Sequence, residues 1–249
     1  MALDASKVVI TIPTHKSEIS DNERMCLLQC DRVLSRYRKV LLVPEGLDTS
    51  AYTELVKDLE VRFYDPYYFS SYLGYDELCL SPSFYSGFDE HEYLLIYQTD
   101  CWIFRDDLLK WCNKGYDYVG APWIDLSEPT RKAKPIIDIR PLMQGKVGNG
   151  GFSLRKISAM KRNAKWLIKV LPLWRKTEDT FWGMIVPLVD WSFKRPSMKE
   201  ALKFAFETSP SKCFEMNNSE LPFGCHAWEK YEPEFWSNHI KLEKARTND

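Results

Sequence analysis

A chain of 249 residues, 45% hydrophobic and 14% aromatic, is long enough to bury one sizeable core and too apolar to be disordered. Its formal net charge of −1 supplies no global field for nucleic acid, so any basic partner surface has to be local. Its seven cysteines are odd in number and include no Cys-x-x-Cys pair, which excludes a simple disulfide framework or zinc module and fits a reducing compartment.

Asp4 precedes only a short apolar run, unlike a secretory signal, and no segment reaches the roughly 18 apolar residues of a membrane span. The expectation is a cytoplasmic, soluble protein. Residues 8–12 are a β-branched run that reads as a first strand, feeding a loop at Pro13, Thr14 and His15. Residues 20–37 place Met25, Leu28, Val33 and Leu34 among charges, the pattern of an amphipathic helix capped by Ser20 or Asp21 with Glu23 in its first turn. Residues 40–43 form a second apolar strand closed by Pro44, Glu45 and Gly46, residues 51–59 a short helix, and residues 61–64 a third strand. Such alternation implies a parallel, right-handed α/β sheet.

Residues 65–88 carry eight Tyr and Phe residues, which serve either as core or as a stacking surface for a ring. Residues 93–97 suit a buried central strand that stops at Gln98, Thr99 and Asp100. Ligands of open α/β sheets bind at the carboxyl ends of strands. Asp100 therefore stands where a catalytic or metal-binding acid belongs, or it serves a turn or caps a helix beginning near Asp106. Residues 106–112 suit that helix, and residues 116–119 a strand ending at Gly120 to Trp123.

From 124 to 146 the periodicity dissolves, as in a functional lid or a linker. Gly148, Asn149, Gly150 and Gly151 then allow close approach of backbone to a ligand or another strand. They match neither a Walker loop nor a dinucleotide fingerprint, so phosphate cradling by this loop is not expected. Residues 161–176 interleave Lys and Arg with Trp166 and Trp174. They read as a surface helix, broken by Pro172, or as a short contact with an anionic membrane face. Glu178 and Asp179 lead another apolar run, residues 201–207 suggest a short helix or strand, and residues 221–228 form an aromatic turn presenting His226. Residues 229–249 are charged enough to be a solvated tail beyond a single domain spanning 1–228.

Five motifs occur in order: YQTDCWIF (97–104), YDYVGAPW (116–123), VGNGGFSLR (147–155), EDTFW (178–182) and PFGCHAW (222–228). On these motifs the chain resembles nucleotide-sugar glycosyltransferases of the GT-A fold, and within them a bacterial family first catalogued as a domain of unknown function. The resemblance runs over roughly residues 7–228 and implies a Rossmann-like mixed sheet flanked by helices. It implies a divalent metal, Mn2+ or Mg2+, bridging the donor diphosphate, with Asp100 and His226 as ligands. Gln98 takes the place of the first acid of the usual Asp-x-Asp, a departure that bears on metal dependence.

It further implies Asp179 as the base that deprotonates an acceptor hydroxyl, with Glu178 as the alternative base or an acceptor-binding acid, and inversion at the anomeric carbon. Pro13, Thr14, His15, Val43 and Glu45, at strand ends, with Gln98 and Thr99, would line the nucleotide pocket, joined by Ser71 and Tyr75. Trp123, Asn149, Gly150 and Gly151 would lie near the donor sugar or acceptor, Trp123 by stacking. The implied donor is a UDP-hexose, galactose first, and the acceptor a glycan; the basic, Trp-containing run 161–176 adds the expectation that this acceptor is a bacterial surface polysaccharide, lipid-linked and reached at the inner membrane face. A nucleotide-sugar or glycan-binding module without catalysis is the alternative, and an unrelated α/β enzyme such as a nucleotidyltransferase a third.

Overall fold

Strands of unbroken apolar residues have to be covered on both faces. In the computed structural model, which describes residues 3–126, 140–170 and 177–240, β1 (Val8–Pro13) and β4 (Tyr93–Tyr97) are buried at every position. β2 (Arg38–Pro44) is buried at its central positions. With β3 (Glu60–Tyr64), β6 (Tyr118–Val119) and β7 (Phe152–Lys156) they form a six-stranded sheet ordered β3-β2-β1-β4-β7-β6. β1 pairs in parallel with β2 and β4, and β2 with β3. β7 then runs antiparallel to both β4 and β6. The sheet is therefore mixed, as the resemblance implies, and the parallel alternation of the first strands ends at β4.

The period of two along each strand divides the core. Val8, Ile10, Ile12, Tyr93, Leu95 and Tyr97 face Leu27 and Cys30 of α1 (Asp21–Val33). On that side the helix expected over 51–59 shortens to one turn, α2 (Ser50–Thr53), whose Tyr52 is buried. Val9, Leu94 and Ile96 face the opposite side, under α3 (Tyr72–Leu80) and α4 (Pro82–Ser86). The aromatic segment supplies most of that second core, with Phe84, Tyr85 and Phe88 buried, while Tyr67 and Tyr72 stay exposed. α5 (Leu108–Cys112) adds Leu108 and Trp111 to the first core, and α7 (Ile157–Val170) adds Ile157 and Met160 to the second. A single turn, α6 (Arg140–Met143), precedes the glycine motif.

A small second sheet, ordered β5-β9-β8, joins β5 (Trp102–Ile103), β8 (Ala205–Phe206) and β9 (Gly224–Cys225). The segment read as a solvated tail from Glu229 is packed for part of its length: Pro233–Ser237 is helical, and Trp236 and Ile240 are buried beside β8 and β9. Trp236 is a large apolar side chain among charges, and its burial outweighs the polarity of its neighbours. Residues 127–139 of the expected lid, 171–176 and the side chains from Trp166 of the expected membrane segment, and tail residues 241–249 lie outside the described residues. No described helix is long and apolar enough to cross a membrane. All seven cysteines are buried and free.

Candidate active site

Because β2 and β3 extend the sheet to one side of β1 and β4 pairs on its other side, the chain reverses its winding between β1 and β4. The crevice beyond the carboxyl ends of such a strand pair is the ligand site of open α/β folds. Three segments meet there: residues 13–16 after β1, residues 98–100 after β4, and the glycine turn that enters β7. Tyr97 pairs with Phe152, and the Gln98 N–H donates to the Gly151 carbonyl at 3.0 Å, which fixes the turn against the end of β4.

Asp100 and His226 come together. Asp100 Oδ1 lies 3.2 Å from His226 Nε2, and Gln98 Oε1 lies 3.0 Å from the same nitrogen. His226 is delivered by β9. Glu207 follows β8, which runs parallel to β9 in register Phe206 with Cys225, so the next residues of the two strands adjoin. Glu207 Oε1 is accordingly 3.2 Å from His226 Nδ1. Burial works to lower the His226 pKa, but the charges and hydrogen bonds of Asp100 and Glu207 outweigh it and raise the ring to about 10. Burial pushes Asp100 upward, and the His226 charge and hydrogen bond bring it back below its ordinary value.

The residues fit a divalent cation. Among the described residues, Asp100, Cys101 and His226 form the one cluster whose ligand atoms lie within 4.8 Å of one another. Cys101 is a poor member, since its thiol points at the Gly151 carbonyl at 3.4 Å and burial raises its pKa well above the usual range. Carboxylate and imidazole remain, donors that suit Mn2+ and tolerate Mg2+. Asp100 keeps 38% of its side chain exposed, which opens the pair to a ligand. Glu207 behind Nδ1 is the orienting carboxylate that metal-bound histidines usually have. A cation bound there would take the place of a proton on Nε2.

The glycines are needed for space. A methyl group on Gly151 would fall 2.3 Å from His226 Nε2, and one on Gly150 would fall 1.7 Å from Glu178 Oε1. The turn is thus wedged between His226 on one side and Glu178 on the other. Asn149 holds the turn from inside, with φ at 65° and its Oδ1 accepting the Gly151 N–H at 3.0 Å. The side chain is buried, and its carbonyl accepts from the Tyr118 hydroxyl at 3.1 Å.

Glu178 is buried and ion-paired. It opens α8 (Glu178–Thr180), with Oε1 2.9 Å from the guanidinium of Arg155, which is itself fully buried. Arg155 also donates to Ser153 Oγ and to the Tyr85 hydroxyl, each at 3.0 Å. Burial, reinforced by Asp179 and Asp76 and opposed by Arg155, raises Glu178 to about 7. Asp179, next in the chain, is half-buried; its Oδ1 accepts the Thr180 N–H at 2.7 Å.

The remaining expectations divide. Thr99 sits on the crevice, its hydroxyl donating to Glu23 at 3.0 Å. Thr14 is buried, 3.1 Å from the Tyr52 hydroxyl, and His15 and Glu45 are exposed. Pro13 and Val43 are buried strand residues, and the Val43 side chain is turned into the core away from any ligand. Ser71 accepts the Gly74 N–H as the cap of α3, and the buried Tyr75 hydroxyl has no hydrogen-bond partner among the described residues. Trp123 does not present a stacking face: it is 5% exposed, with its ring filling the space where a Gly148 side chain would go. The sequence reading singled out none of Glu207, Arg155 and Lys16, which the structure places against His226, Glu178 and Glu23. It noted Glu23 only as a first-turn acid, though Ser20 and Glu23 form a capping box.

The sequence profile of a family described as "Protein of unknown function (DUF5672)" matches residues 58–226. No curated protein matches the sequence. Among solved structures, the apo form of the bifunctional glycosyltransferase WbbM is similar over 92% of this chain and 47% of its own, with TM-score 0.57 and 12% identity. An active-site mutant of LgtC is similar over 88% of this chain and 86% of its own, with TM-score 0.50 and 12% identity. A glycosyltransferase involved in glycosylation of the major capsid of PBCV-1 covers 94% of this chain and 99% of its own, at TM-score 0.48 and 11% identity. At such identities the likeness is one of fold, the GT-A glycosyltransferase fold.

Proposed function

We propose, for a chain that belongs to the DUF5672 family and has the GT-A fold, that it moves a hexose from a nucleotide-sugar donor to a hydroxyl of a glycan. The observation that carries this reading is the convergence of Asp100 and His226, 3.2 Å apart, at the switch point of the sheet. A donor diphosphate in that crevice would meet Asp100 and His226 at its phosphates and the glycine turn beside its sugar. A divalent cation held by these two side chains would supply Lewis-acid stabilisation of the charge that develops on the leaving diphosphate.

Asp179 is the proposed base. An acceptor hydroxyl has to lose its proton as it attacks, and a fixed carboxylate contributes to that step by removing it. Attack from the face opposite the diphosphate gives inversion. Glu178 instead positions: it holds Arg155, abuts Gly150 and so keeps the turn that seats His226. The donor class proposed first is a UDP-hexose, galactose leading, and the acceptor class a surface polysaccharide, lipid-linked forms included.

The test is release of UDP from a panel of UDP-hexoses with Mn2+ and glycan acceptors. Asp179→Asn is expected to keep UDP binding and to lose transfer by about 10²- to 10⁴-fold. Binding of UDP-sugar with no transfer by the unmodified protein, and indifference to Asp179→Asn, would establish a binding module instead.

A further inference from the structure

We propose that Lys16 is a diphosphate-binding cation of this site, held ready beside Asp100 by Glu23; the inference rests on the nucleotide-sugar reading. An exposed lysine is ordinarily mobile, because its long side chain loses rotamer entropy when it is fixed. Lys16 is fixed at both ends. Its N–H donates to Thr14 Oγ1 at 3.2 Å, and its carbonyl accepts from the Tyr52 hydroxyl at 3.0 Å. Its ammonium donates to Glu23 Oε1 at 2.9 Å.

Glu23 is a hub. Besides Lys16 it accepts from the Thr99 hydroxyl at 3.0 Å and from the N–H and hydroxyl of Ser20 at 3.0 and 2.8 Å. It thereby joins the loop after β1, the start of α1 and the end of β4, where Thr99 immediately precedes Asp100. The Glu23 side chain is 8% exposed while that of Lys16 is 54% exposed. The acid is sunk and the cation presented. Burial acts to raise the Glu23 pKa, yet the bonds from Lys16, Ser20 and Thr99 hold it at about 2, so it remains the anchoring anion.

Donor capacity gives this arrangement its use. A divalent cation partly neutralised by Asp100 would leave a diphosphate with oxygens still to be met, and since Glu23 balances the Lys16 charge, Lys16 meets them as a local hydrogen-bond donor rather than as net charge. An ammonium offers three donors, of which Glu23 takes one. Phosphate oxygens at the crevice can take the others, between the ends of β1 and β4.

The experiment is isothermal titration of the full chain with UDP, UMP and uridine, each with and without Mn2+, in the unmodified protein, Lys16→Met and Lys16→Arg. Lys16→Met is expected to weaken UDP roughly ten- to hundredfold, the range for a hydrogen bond to a charged group. Uridine affinity should hold, which also reports an intact fold, and Lys16→Arg should restore part of the loss. Unchanged UDP affinity in Lys16→Met, or equal loss for uridine and UDP, would overturn the role of Lys16 alone. Failure of the unmodified protein to bind UDP with Mn2+ would overturn the nucleotide-sugar reading and this inference together.

Discussion

Gly151→Ala separates the metal site from the fold. Gly151 does not adopt a left-handed backbone, so alanine meets no torsional barrier there and its effect is steric. Its methyl group would lie 2.3 and 2.4 Å from His226 Nε2 and Cε1 and 2.8 Å from Gln98 Oε1. Carbon contacts settle near 3.5–4.0 Å, so the ring has to retreat by roughly 1 Å. Metal–ligand distances tolerate only about 0.2 Å. Retreat also works against the bond from Nδ1 to Glu207.

Merely disturbing a partner behind a metal ligand costs ten- to hundredfold in affinity. Displacing the ligand itself should cost about a hundredfold or more, some 2.7 kcal/mol. Overpacking adds about 1–3 kcal/mol of destabilisation. Manganese titration followed by electron paramagnetic resonance, beside urea denaturation, reads both quantities. A folded Gly151→Ala protein that binds Mn2+ as tightly as the unmodified one would refute the placement of the metal at His226.

Arg155→Met should destabilise the protein by about 3–5 kcal/mol in urea denaturation, since it strips the buried Glu178 carboxyl, Ser153 and Tyr85 of their shared hydrogen-bond donor. The double variant Arg155→Met with Glu178→Gln should recover part of that loss. Stability should also depend on pH through Glu178, whose pKa rises from 4.5 to about 7 on folding. The folded state binds this proton more readily, so the contribution is fully present below pH 4.5 and is lost as pH rises through 7. Denaturation midpoints of the unmodified protein should therefore fall relative to Glu178→Gln between pH 4.5 and 8, and parallel curves would contradict the raised pKa.

The fold was legible where one segment carries its own pattern. The runs of β1, β2 and β4 and the cap of α1 needed nothing beyond their neighbours in sequence. β6 lies inside the strand expected over 116–119, and β8 inside the short helix or strand expected over 201–207; the two-residue strands β5 and β9 have no such pattern, because their pairing depends on partners far along the chain. Asp100 was visible as an acid closing a buried strand, and the resemblance singled out His226. Glu207 is an acid like many others until β8 and β9 pair. Arg155 closes a motif in the sequence with nothing beside it to assign its partner, which is Glu178, 23 residues on. Trp123 illustrates the opposite error: a large aromatic beside glycines looks like a sugar platform, but here it packs against Gly148 because the glycine leaves room for its ring.

The measurement closest to the central claim is calorimetric titration with UDP, with and without Mn2+, in the unmodified protein and in Asp100→Ala. Removing Asp100 takes away the carboxylate that faces His226 at 3.2 Å. The account predicts that UDP binding is strengthened by Mn2+ and that this strengthening disappears in Asp100→Ala. Binding of UDP that is indifferent to Mn2+, or that keeps its full Mn2+ dependence without Asp100, would contradict it.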